Sequence, residues 1–190
     1  MFLTRRQRCS VVVLVAMSIG SALRANAQSR DVQASGPVIQ STGRSFVVEN
    51  PTFRAPAGHV FKMLYEINAG GDDTTKMNAQ LTTMARFYNI HARNGYPLAN
   101  LKAAAVVHDG GWGTILNDSA YAARFGGARN PSRKLVEELV AAGAQIILCG
   151  QTAGSRNIAR SDLIPGVLVA TSAMTALSVL GADGYRLVPW

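Results

Sequence analysis

Cys149 is the residue whose type and setting promise most chemistry. It ends the apolar run Gln145-Ile146-Ile147-Leu148 and precedes Gly150, so its thiol stands where a buried strand gives way to a turn. Once ionised, a thiol there attacks sulfur or carbon. Arg156 and Arg160 lie in the segment just after it; folded back, their charge would favour the thiolate, and a helix N-terminus below the sulfur would act the same way. The competing reading is a buried structural cysteine, since an inert Cys packs as a small hydrophobe. The residues alone leave both readings open.

His108 is the second candidate. It closes the run Ala103-Ala104-Ala105-Val106-Val107 and opens Asp109-Gly110-Gly111, a loop that lets backbone approach a ligand closely. It could give or take a proton for thiol chemistry at Cys149; otherwise it hydrogen-bonds its own loop and nothing more. His108 and Asp109 make no triad, because consecutive side chains diverge. Other signals are weaker. Asp72 and Asp73 fit helix capping better than cation binding. His59 and His91 read as surface residues, and Met77, Met84 and Met174 as core packing. Neither dinucleotide nor phosphate-loop glycine fingerprint occurs, nor a G-x-S-x-G elbow, so nucleotide binding and that type of hydrolysis lack support. No metal site and no cofactor is expected.

The elements that must hold these residues alternate along the chain. Val60–Ile67 reads as a strand closed by Asn68-Ala69-Gly70-Gly71. A helix then carries Met77, Leu81, Met84 and Tyr88 at helical spacing, capped by oxygens of Asp72-Asp73-Thr74-Thr75. Ala103–Val107 is a second strand, residues 114–125 a weak helix, and a cleaner helix opens at Asn130-Pro131 and ends at Gly143. Gln145–Leu148, Val167–Ala170 and Tyr185–Val188 are further strands, with a helix over Ser172–Leu180. This alternation with short links predicts a three-layer α/β/α, Rossmann-like sandwich around a mostly parallel sheet of about five strands. Ligands bind beyond the carboxyl ends of such strands. Asn68, His108, Cys149 and Thr171-Ser172 all fall there, on one edge. Lys62 and Glu66 share a strand face with Leu64, which is odd in a sheet covered on both faces and points to an edge strand or an oligomer contact.

Composition sets the outer bounds. The chain has 190 residues, with 48% hydrophobic and 16% charged, which fits one globular domain. Arg5, Arg6 and Arg8 precede an apolar stretch, Val11–Leu23, that ends near Ala25-Asn26-Ala27. Basic start, short apolar core and small-x-small site together predict a signal peptide over residues 1–27 and a periplasmic or secreted product. Loss of its four arginines would bring the net charge from +8 to +4. No basic run is left, which argues against nucleic acid as partner, and no apolar run is long enough for a membrane span. Cys9 would leave too, so Cys149 would be unpaired in an oxidising compartment. Residues 28–58, rich in Ser, Gly, Pro and Thr, read as a loosely packed N-terminal arm with one short strand at Phe46-Val47-Val48. Residues 59–190 form the domain proper.

Over roughly residues 37–190 the chain resembles the DsrE/DsrF-like superfamily in its exported single-domain branch. The carrying stretches are Phe61–Ile67, Asn100-Leu101-Lys102 leading into Val106-Val107-His108, Ala120–Gly126, Cys149-Gly150-Gln151-Thr152, Asp162–Val167, Ser172–Leu177 and Gly184–Pro189. The resemblance implies a Rossmann-like sheet, homo-oligomers that are often trimers or hexamers, and a cysteine that carries sulfur as a persulfide within a relay. Cys149 is the position matching that role. Asn68, Gln151, Arg156, Arg160 and Ser172 are then the candidate ligand-binding residues around Cys149 and His108. Sulfur donor and acceptor proteins or small thiols would be its partners. Asp109 and Trp112 depart from the shorter, smaller-residue segment expected in their loop. The alternative is a non-catalytic, oligomeric small-ligand-binding module in which Cys149 is structural.

Overall fold

The computed structural model describes residues 33–189; the signal segment expected over residues 1–27 lies outside them. Five parallel strands make one sheet: β1 (Phe61–Ile67), β2 (Leu101–Val107), β3 (Gln145–Cys149), β4 (Leu168–Ala170) and β5 (Arg186–Leu187), in the order β4-β3-β2-β1-β5. From β1 to β4 the chain steps across the sheet in one direction. The helices between them, α1 (Ala79–Arg93), α2 (Asp118–Arg124), α3 (Arg133–Ala141) and the short α4 (Gly150–Ser155), all pack on one face. After β4, α5 (Ala173–Ala182) returns along the opposite face and delivers β5 to the far edge. This is the expected α/β/α sandwich.

Strand alternation sorts the side chains. Tyr65, Ile67, Ala103, Ala105, Val107, Ile146 and Leu148 face the larger core with Leu81, Met84, Tyr88, Tyr121, Leu135 and Leu139 of α1, α2 and α3. Leu64, Ala104, Val106 and Ile147 face the smaller core with Ala176 and Leu180 of α5. A single helix cannot cover that second face. α5 lies over β2, β3 and β4, so the β1 side is left open and Lys62 and Glu66 remain partly exposed. β1 is therefore not the edge strand their charges suggested; β5 pairs with it, but only at Met63 and Leu64. The Lys62 ammonium donates to the Asp183 carbonyl at 2.6 Å and lies over the Tyr185 ring. Met174, read as core from its spacing, is 78% exposed on α5.

The N-terminal arm is pinned rather than loose. Ile39 is fully buried beside α1. The Asn89 amide of α1 accepts from the Val38 and Ile39 N–H groups and donates to the Ile39, Thr42 and Gly43 carbonyls. Arg93 donates to the carbonyls of Ala34, Ser35 and Gly36, and Glu138 of α3 accepts from the Ser41 N–H and hydroxyl. Phe46-Val47-Val48 forms no strand and is exposed; the arm's ladder contact is one bridge, Ala34 to Ser45. Likewise, Asn78 caps α1 through the Gln80 and Leu81 amides, while Asp73 closes a turn on Thr75 and Lys76.

His91 is half-buried, not on the surface as its sequence setting suggested. Its ring packs among Phe61, Phe87 and Tyr96, and Nδ1 donates to the Phe87 carbonyl at 2.7 Å. Burial pushes its pKa down, with the Phe87 carbonyl opposing in part. A histidine whose folded pKa is depressed keeps its full stabilisation above the unfolded value, about 6.5, and loses it as pH falls toward the folded value. Thermal unfolding across pH 7.5 to 5 should therefore show stability falling, by at most about 1.4 kcal/mol per unit from this group. His91→Phe should flatten that slope; an unchanged slope would discharge His91 as its source.

Candidate functional site

At its carboxyl end β3 runs straight into α4 (Gly150–Ser155), so Cys149 is both the last strand residue and the N-cap of a helix. Gly150 is required there. A Cβ would stand 2.5 Å from the Ala170 carbonyl oxygen and 3.0 Å from that of Thr171, because the chain turns directly against the end of β4. The same turn brings the start of α5 close to the sulfur. Ser172 caps α5, accepting from the Thr175 N–H at 3.0 Å, and the next amide, Ala173, is directed at Cys149. The thiol thus lies between two helix N-termini and is 5% exposed.

Two effects compete at this sulfur. Burial pushes the Cys149 thiol up; the Thr152 amide and hydroxyl and the Ala173 and Gln151 amides pull it down. The second group wins, and the thiol falls below its ordinary value. None of these donors makes a formal capping bond to the sulfur; they act as fixed dipoles that favour the negative form. The charge that lowers this thiol is therefore carried by backbone and one hydroxyl. Arg156 and Arg160, expected to fold back on it, lie elsewhere. Arg156 stands at the C-cap of α4 with its guanidinium 5.7 Å from the centre of the Trp112 ring. Trp112 also stacks on Phe125 and meets Arg124 at 5.7 Å. Arg160 borders a separate surface groove with Ile164, Pro165 and Val167.

His108 stands on the adjacent strand. β2 and β3 pair through Val107 and Leu148; one step further in the same register sets His108 beside Cys149. Both follow the alternation of Val106 and Ile147 on the α5 face. The imidazole Nε2 lies 3.0 Å from Glu66 Oε1 of β1. The His108 backbone is held on both sides, its N–H donating to Ile67 and its carbonyl accepting from Gly111. Asn68 is exposed at the tip of β1, and Gln151 is exposed on α4 with its amide nitrogen donating to the Thr171 carbonyl. The carboxyl edge therefore brings together His108, Cys149, Gln151 and Ser172 with Glu66, while Arg156 and Arg160 stand apart from the thiol.

The glycines after His108 serve packing rather than a ligand. A Cβ on Gly111 would overlap the Ile67 carbonyl, and one on Gly113 the Gly71 carbonyl. Gly71 N–H in turn donates to the Gly110 carbonyl at 2.9 Å, so the loops after β1 and β2 touch backbone to backbone. Sequence reasoning missed Thr152, Ala173 and Glu66. Thr152 lies in the first turn of α4 directly after Cys149, a local contact; Ala173 becomes visible only when β3 and β4 are known to be neighbours. Glu66 carried a signal, its misplaced charge, that needed the β1–β2 register to be read as a partner for His108. Among the described residues, no three His, Cys, Asp or Glu side chains are grouped to hold a metal ion, and no helix is long and apolar enough to cross a membrane.

A family model described as DsrE/DsrF-like matches residues 62–190, more than half of the chain. Among solved structures, the chain is similar to a protein of unknown function, MTH1491, from Methanobacterium thermoautotrophicum. The two share 17% identity at a TM-score of 0.50, over 67% of this chain and 97% of that one. At that identity the likeness speaks to the fold alone. No curated protein matches the sequence.

Proposed function

The chain belongs to the DsrE/DsrF-like family, and from that premise we propose that it is a sulfur-handling protein that takes up sulfane sulfur as a persulfide on Cys149. The observation that carries this reading is the thiol's setting. A sulfur held between the first turns of α4 and α5 is lowered in pKa despite being buried, and thiolate is the form that attacks sulfur. In the step itself, the Cys149 thiolate attacks the outer sulfur of a persulfide R–S–SH. A new S–S bond forms to Cys149 as the S–S bond of the donor breaks, and the electron pair leaves on R–S⁻, which takes up a proton. Transfer onward repeats this with an acceptor thiolate, and Cys149 departs as the leaving thiolate. No net oxidation occurs. His108, one strand away, is the proton donor and acceptor in this scheme.

The rest of the proposal follows the sequence. The basic, apolar and small-residue order of residues 1–27 supports export, hence a periplasmic or secreted carrier. Family likeness supports a homo-oligomer and partners that are sulfur donors and acceptors, proteins or small thiols. Incubating the protein with inorganic polysulfide and weighing it intact tests the central claim. One added sulfur atom is expected on wild type, absent in Cys149→Ser and removed by reductant. An unmodified wild type would overturn the reading.

One observation favours a second reading. At 5% exposure, Cys149 is as secluded as a core residue, which suits a non-catalytic small-ligand-binding module with a structural cysteine. In that case the native thiol reacts with an alkylating agent only after unfolding.

A further inference from the structure

Glu66 is a carboxylate on an interior strand of a parallel sheet, a position that normally reads Val, Ile or Leu. Its Oε1 is 3.0 Å from His108 Nε2, and the two side chains are 30% and 23% exposed. An ionised carboxylate only accepts, so the proton in this bond belongs to Nε2 of the ring. That leaves Nδ1 as the nitrogen able to exchange a proton elsewhere. The neighbour in the β2–β3 register is Cys149, with strand axes about 4.8 Å apart and both side chains on the α5 face. Lys102 of β2 also lies on this face, opposite Lys62 in the β1–β2 register. Lys62, four residues earlier on β1, is bonded to the Asp183 carbonyl. Asp109 opens the turn beyond His108, and α5 carries no charged residue between Ala173 and Ala182.

We propose that Glu66 is a positioning residue, fixing the His108 ring with Nε2–H toward β1 so that Nδ1 is the nitrogen that serves the sulfur at Cys149. The proposal rests on the sulfur-transfer reading above. In the transfer step, protonated His108 gives its Nδ1 proton to the departing R–S⁻; the Glu66 carboxylate balances the imidazolium before that proton leaves, and a proton from solvent restores the starting state. Its charge in the middle of a parallel sheet then has a use.

The test follows sulfur uptake from inorganic polysulfide by intact mass, beside the ring ¹⁵N spectrum of His108. Glu66→Ala and His108→Ala should each slow uptake by about tenfold or more, and the double variant should lose no more than His108→Ala alone. Glu66→Gln, which keeps an acceptor oxygen but not the charge, should keep the proton on Nε2 and restore only part of the rate. The wild-type spectrum should show the proton on Nε2, and Glu66→Ala should lose that preference with an unchanged melting midpoint. Wild-type rates in Glu66→Ala, or losses that multiply in the double variant, would overturn the proposal. Should wild type take up no sulfur, the sulfur reading fails by itself; a Glu66→Ala ring spectrum identical to wild type refutes the positioning role independently.

Discussion

Asn89→Ala lowers the unfolding free energy by about 3–5 kcal/mol, the range of breaking a buried polar network. The Asn89 side chain is fully buried and makes five hydrogen bonds, at 2.8 to 3.1 Å, to the backbone of residues 38–43. Alanine strands the Ile39 N–H and the Gly43 carbonyl in a buried site, while the Ile39 carbonyl keeps the Gly36 N–H; each buried orphan costs about 1–3 kcal/mol. Asn94, the C-cap of the same helix, is the control. It also binds the arm, at the Val48 N–H and Phe46 carbonyl, but in an exposed setting where water replaces lost partners. Asn94→Ala should cost about 1 kcal/mol or less. Chemical denaturation of the two variants reads the contrast; equal losses would mean that burial of the arm contributes little.

The second large effect is in the ionisation of Cys149. Its rate of alkylation by iodoacetamide, followed against pH, should turn up at a midpoint below the ordinary thiol value of about 8.5. Thr152→Val removes the hydroxyl contribution, keeps the amide, and should move that midpoint up. Arg156→Ala and Arg160→Ala should leave it where it is, since the Arg156 guanidinium lies over Trp112 and neither arginine is among the groups that lower the thiol. A midpoint that follows the arginines and ignores Thr152 would assign the effect to long-range charge. The same shift links to stability. A thiol whose folded pKa is depressed stabilises the fold above its unfolded value, and that contribution fades as pH falls through the folded value.

Much of the fold could be read from period and punctuation. The apolar runs ending at Ile67, Val107 and Leu148 each meet a glycine or polar exit, and each is a buried strand; Leu81, Met84 and Tyr88 mark the buried side of α1. Reading failed where a partner distant in sequence decides the outcome. Nothing near Ile39 announces that Asn89, fifty residues on, will hold it in the core. Met174 keeps core spacing on a helix that has only part of a sheet face to cover. At the site, His108 and Cys149 share one edge by chain logic alone. Their being neighbours required the strand order, and Glu66 and Ala173 acquired roles only through that order. A thiol's pKa is equally non-local, because it sums dipoles from α4 and from the start of α5.

The pinned arm also bears on the order of events in folding. Its contacts close long loops, 50 residues from Ile39 to Asn89 and 97 from Ser41 to Glu138. They need α1 and α3 already packed side by side. Loop closure of that kind is costly before its surroundings exist, so the arm docks after the sheet and its first helix layer have formed. Interactions made after the rate-limiting barrier govern escape from the native state more than arrival at it. The arm is thus a kinetic latch: it sets how long the folded molecule persists while leaving the speed of folding nearly untouched.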